Sequence, residues 1–308
     1  MKKAKGFGLL LAVTVLAVLV VHPVDSKKSE DPAVEQIKAK MTEMNLQLES
    51  MGENFRVGTF EYYTALDKAG QIVHFKDRTR KMESHWVPGD PRRGGFLDIA
   101  WLSDQIDGKA NGVSLADTQA ALKRAMTTWD GVKCSEIPLI QLPDYGIDWG
   151  YIQYLVGMGG MPGRLADITH SGWLPGQFFE VIGGPGASDF IIGATFTFIW
   201  IYTETGEPTD IDNNGKDDVA FREIYYNNKF SWGIDTYWPV DVESIVLHET
   251  GHGLSQDHFG KLFETEANGK LHFAPRAVMN AGYSGIQQEV AGTDKSGHCS
   301  IWAAWPNK

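Results

Sequence analysis

Three histidines within eleven residues, His248, His252 and His258, constrain this chain more than anything else in its 308 residues. The surrounding segment, VDVESIVLHETGHGLSQDHFG from Val240, reads as a helix: Asp241 can cap it, and Val242, Ile245 and Val246 form its buried side. His248 and His252 then stand one turn apart on one face and can reach a single ion, at about 2.0 to 2.1 Å each for zinc. Glu249, one residue round the helix, can sit beside a zinc-activated water as general base, taking its proton and handing it to a departing amine. Gly251 and Gly253 let the helix end, and the chain can turn to bring back His258 as third ligand. Three protein ligands leave the open position that a catalytic zinc requires. The plain alternative is two satisfied histidines on a core helix.

Charge and leader narrow the setting. A formal net charge of -11 argues against a nucleic-acid partner, because such binding draws on Lys and Arg neutralising phosphates. At the N-terminus, Lys2, Lys3 and Lys5 precede an apolar run from Gly6 to Val21, the layout of a secretory signal, with cleavage expected after Ser26. The run is short for a membrane span, so stable membrane association is not expected after cleavage; an uncleaved anchor is the alternative. Cys134 and Cys299 are the only cysteines, compatible with one disulfide in an exported chain or with two buried thiols. Oligomeric state is not legible.

Three regions follow: a signal peptide at 1–26, an N-terminal extension or propeptide-like region at 27–94, and a catalytic domain at 95–308. In the extension, Asp31 to Met51 spaces Val34, Ile37, Met41, Met44 and Leu48 as an amphipathic helix. FRVGTFEYYTAL and QIVHF alternate as strands, and VPGDPRRGG is turn chemistry taken as the boundary. Beyond it, FLDIAW, residues 189–203 and residues 219–226 read as strands, and Ser114 to Asp130 as a helix opened by the Ser114/Asp117 capping box. The fold class expected is α+β, with an α/β-type mixed twisted sheet.

His248-Glu249-Thr250-Gly251-His252, with His258 ten residues after the first His, resembles the signature of metzincin metallopeptidases, and Ala277 to Tyr283 (AVMNAGY) resembles their Met-turn. ALKRAMTTWDGVKCSEIPL, from Ala121, and the Met279-to-Tyr283 spacing are similar to matrixins. The likeness spans roughly residues 95 to 290. It implies a sheet over an active-site helix, Met279 as apolar floor beneath the imidazoles, and protein or peptide substrates lying extended along an edge strand near 189–203. Pro275 to Tyr283 would wall a side-chain pocket, with Tyr283 touching substrate. Ser255 stands where the family has a Gly with φ above zero, a conformation that costs Ser about 1 kcal/mol. A thermolysin-like, gluzincin arrangement with Glu264 or Glu266 as third ligand is the rival.

Asp210, Asp212, Asn214 and Asp218, with Gly215 at the turn, have the alternate-oxygen spacing of a calcium loop; a solvated acidic turn is the alternative. The extension contains no cysteine to hold a zinc site latent; Val87-Pro88-Gly89-Asp90 faintly resembles the aspartate switch of astacin propeptides, with a plain surface turn as the favoured reading. The function expected is that of a secreted zinc endopeptidase. A non-catalytic secreted metal-binding protein, or pseudopeptidase, is the alternative from another class.

Overall fold

The computed structural model describes residues 32–65, 72–74, 84–265 and 270–307. The signal at 1–26 and Glu266 lie outside them. Helix α1 (Pro32–Ser50) buries Ile37, Met41, Met44 and Leu48, the stripe its spacing predicts. At about 1.5 to 3 kcal/mol for each buried side chain of this size, that face anchors the helix firmly. Strands β1 (Phe55–Ala65), β2 (Ile72–His74), β3 (Ser84–His85) and β4 (Ile99–Ser103) follow. Helix α2 (Leu115–Asp130) starts where Ser114 Oγ accepts the Asp117 N–H. After it come β5 (Leu139–Gln141), α3 (Tyr151–Leu155), β6 (Ile168–Leu174), α4 (Gly176–Gly183), β7 (Ile191–Trp200) and β8 (Asp217–Asn227). The last part holds β9 (Trp232–Gly233), β10 (Val240–Asp241), α5 (Val242–Gly253), the hairpin β11 (Lys261–Thr265) and β12 (Lys270–Ala274), β13 (Gly282–Tyr283) and α6 (Gly292–Trp302).

The fold is α+β around a mixed nine-stranded sheet in the order β13-β1-β7-β8-β6-β4-β5, with β2 beside β1 and β3 beside β8. Strands β8, β6, β4 and β5 are mutually parallel, β7 runs antiparallel to β8, and β1 antiparallel to β7. Alternation divides the side chains between two cores. Leu122, Met126 and Trp129 of α2 and Val246 of α5 meet one face of the sheet; Met44 of α1 and Phe178 and Phe179 of α4 cover Phe196, Phe198 and Tyr225 on the other.

Two expectations change here. Strand β7 is not an edge, because β1 pairs with it from Phe55↔Trp200 to Thr64↔Ile191. Nor does the structure divide near residue 95: residues from Pro32 onward form one compact unit. The helical and β-branched patterns were sound guides to local structure, but strand partnership is set by burial across the whole sheet, which local patterns do not encode. Cys134 and Cys299 are joined, with Cα atoms 5.7 Å apart, tying the end of α2 to α6. No helix among the described residues is long and apolar enough to cross a membrane.

Candidate metal centre

Helix α5 begins as its sequence predicts, with Asp241 accepting the Ser244 N–H. Its last turn is closed by long-range donors: Trp86 Nε1 and Arg222 Nη1 both donate to Gly253 O, and Trp302 Nε1 to Leu254 O. Those bonds satisfy carbonyls that a helix C-terminus leaves without partners. Ser255 then takes φ 64°, in the left-handed region that favours Gly, and its hydroxyl accepts from Arg222. The turn carries His258 back over the helix.

His252 Nε2 lies 3.0 Å from His248 Nε2 and 3.2 Å from His258 Nε2. Tetrahedral zinc with bonds of about 2.0 to 2.1 Å sets its nitrogens about 3.3 Å apart, so the spacing fits. The opposite ring nitrogens are occupied: His248 Nδ1 lies 2.7 Å from Val278 O, and His252 Nδ1 2.8 Å from Gln256 O. With Nδ1–H donating to those carbonyls, the Nε2 lone pairs face one another. Such a cluster repels itself unless a cation or proton sits among the nitrogens. The residues fit zinc.

Two further groups approach from β1. Glu61 Oε2 lies 2.6 Å from His252 Nδ1, an ionic contact, since the N–H itself is aligned on Gln256 O. The Tyr63 ring stacks on His248 with centroids 3.7 Å apart and planes at 12°. In the chain without metal, burial opposes charge on all three rings and pushes His248 and His258 well below the usual range. At His252 burial is outweighed by the Glu61 carboxylate, which raises it to about 9. One cation is therefore welcome at this centre, and Glu61 is its counter-charge.

Glu249 is fully buried beside the triad. Thr195 Oγ1 of β7 donates to its Oε2 at 2.7 Å, while its Oε1 has no hydrogen-bond partner among the described residues. Gly193 makes the room: a Cβ there would come within 2.7 Å of Oε1. Burial raises the carboxyl to about 7, with the His252 charge and the Thr195 hydroxyl pulling the other way. Met279 lies beneath, close enough that a Cβ on Gly251 would strike its sulfur. Asp294 of α6 pins the Met279 turn, accepting the N–H groups of Val278 and Met279 at 3.0 and 3.1 Å.

Other expected residues lie elsewhere or are otherwise engaged. Glu264 stands exposed on β11 and is not among the clustered ligands, which overturns the gluzincin alternative for that residue. Tyr283 Oη accepts from Asp241 N at 3.2 Å, so its ring is fixed in the wall, edge-on to Tyr63. Asp90 does not act as a switch: it is fully buried, and both its oxygens accept from Arg92. Asp210, Asp212 and Asp218 do converge. Asp218, however, already accepts from Arg92, Thr209 and the Ile211 N–H, and Asn214 N donates to Asp210. Glu61, Tyr63, Gly193, Thr195 and Asp294 were not foreseen. Only the charged Glu61 and Asp294 carried any local signal, and neither has ligand spacing to the triad.

Comparison with known protein families finds no match for the chain, and no curated protein matches its sequence.

Proposed function

We propose that this chain is a secreted zinc endopeptidase of the metzincin type, matrixin-like in its site, with zinc held by His248, His252 and His258. One observation carries the reading: three Nε2 atoms converge beside a buried carboxylate whose Oε1 has no hydrogen-bond partner among the described residues. Zinc bound there supplies Lewis acidity toward a scissile carbonyl and toward water. Glu249 does the proton work: near neutral pH its carboxyl can both accept and return a proton, and Thr195 holds Oε2 so that Oε1 is the atom that exchanges it. Glu249→Gln keeps the shape and removes the base. It is expected to retain zinc while peptide hydrolysis falls by about a hundredfold or more; equal activity in the variant would end the base assignment.

Secretion is part of the proposal, supported by the leader layout and by the disulfide, which belongs to an oxidising compartment. So is calcium at the loop of Asp210, Asp212, Asn214 and Asp218, supported by convergence of the three carboxylates. Calcium is expected to raise the melting temperature of the protein, but not of Asp212→Ala; identical calcium responses would remove the site. A second reading, a zinc-binding protein without activity, draws on the complete burial of His248, Glu249 and His252. Hydrolysis of casein by the zinc-loaded chain, stopped by a chelator, separates the two.

A further inference from the structure

The burial of His248 and His252 has an identifiable cause. Strand β1 lies between β7 and β13, antiparallel to the first and parallel to the second, through the pairs Tyr63↔Gly193, Thr64↔Gly282 and Ala65↔Tyr283. An extended peptide using main-chain hydrogen bonds for affinity needs a strand edge of this kind beside the catalytic groups. Among the described residues the strand next to Glu249 is β7, at Gly193 and Thr195, and its side away from β8 is taken by β1. Residues Glu61 and Tyr63, two apart and so on the same face of β1, press on two of the three imidazoles.

The strand is not held evenly. Phe55, Val57 and Phe60 sit in the core that α1 closes, where the second half contributes Tyr62 alone. The second half ends at Ala65, and the register with β7, which already shifts once between Val57 and Thr59, shifts again between Tyr63 and Thr64, beside the glycine that abuts Glu249. A register shift interrupts the ladder and gives a natural end to regular pairing.

We propose that Glu61–Ala65 of β1 is a resident occupant of the peptide-binding slot, and that an extended peptide substrate enters only when this half-strand peels off β7 while α1 and Phe55–Phe60 stay seated. The proposal rests on the peptidase reading for the identity of the displaced ligand. It accounts for a constellation in which His248, Glu249 and His252 are fully buried while β1 is paired.

The test uses the full zinc-loaded chain, a peptidic hydroxamate as probe, and two variants. Thr64→Pro removes an N–H from the half-strand, and Tyr63→Gly removes the ring on His248; folding is checked by circular dichroism and zinc content, so either variant serves if the other misfolds. If the slot is shared, saturating hydroxamate strips amide-exchange protection from residues 61–65 but not from 191–195. The variants then bind hydroxamate about tenfold tighter or more, because the open form no longer competes with the paired one. Hydroxamate bound with residues 61–65 still protected, or unchanged affinity in a folded zinc-replete variant, would overturn the proposal. Tighter hydroxamate binding with no hydrolysis of a quenched peptide supports the slot and counts against the peptidase reading instead.

Discussion

At His252 a single imidazole meets a backbone carbonyl and a carboxylate on the side away from the metal nitrogens, through Gln256 O and Glu61. A carboxylate behind a ligand histidine raises its basicity and fixes its orientation, and losing such a partner costs about ten- to a hundredfold in metal affinity. Glu61→Gln is therefore expected to weaken zinc binding by about tenfold or more, measured by competition with a chromophoric chelator. Unchanged affinity would make Glu61 a packing residue. The histidines themselves were legible because helical spacing alone brings His248 and His252 together, and Ser255 was legible as the strained turn that it is. Glu61 and Thr195 were not, since each sits in a strand whose local pattern is ordinary and reaches the site only through sheet pairing.

Among elements, α1, α2 and α5 begin and end close to where periodicity and caps put them, whereas β6 and α6 escaped notice. Strand β6 (ITHSGWL) buries His170, Ser171 and Gly172 at its centre, so it shows no apolar alternation. Helix α6 (GTDKSGHCSIW) has poor formers and is held by Asp294 instead of by propensity. His170 is fully buried, with Nδ1 2.8 Å from Tyr226 Oη, and burial pushes its pKa down to about 3. The unfolded chain protonates this residue near its ordinary value of about 6.5, so it costs stability as pH falls from about 6.5 towards 3, at about 1.4 kcal/mol per pH unit. Denaturant titrations across that window are expected to show a shallower acid slope, by about one proton, in His170→Gln. An identical slope would mean that His170 is already charged in the fold.

On the scale of the whole molecule, the sheet brings together residues from three distant stretches: β1 with Glu61 and Tyr63, β7 with Gly193 and Thr195, and the segment from α5 to α6 with the triad, Met279 and Asp294. The fold class was readable from strand and helix patterns, but the role of the N-terminal stretch was not, because one strand can serve as a separate extension or as a member of the sheet with the same sequence. Strand β1 lies between β7 and β13 and sets the Glu61 carboxylate against His252 of the triad. All of this presumes an ion among three imidazoles. Zinc-edge X-ray absorption on the full chain, with elemental analysis, tests that directly: the account predicts one zinc per chain with three imidazole nitrogens at about 2.0 to 2.1 Å. Material that holds no zinc, or zinc whose shell lacks imidazole, would contradict it.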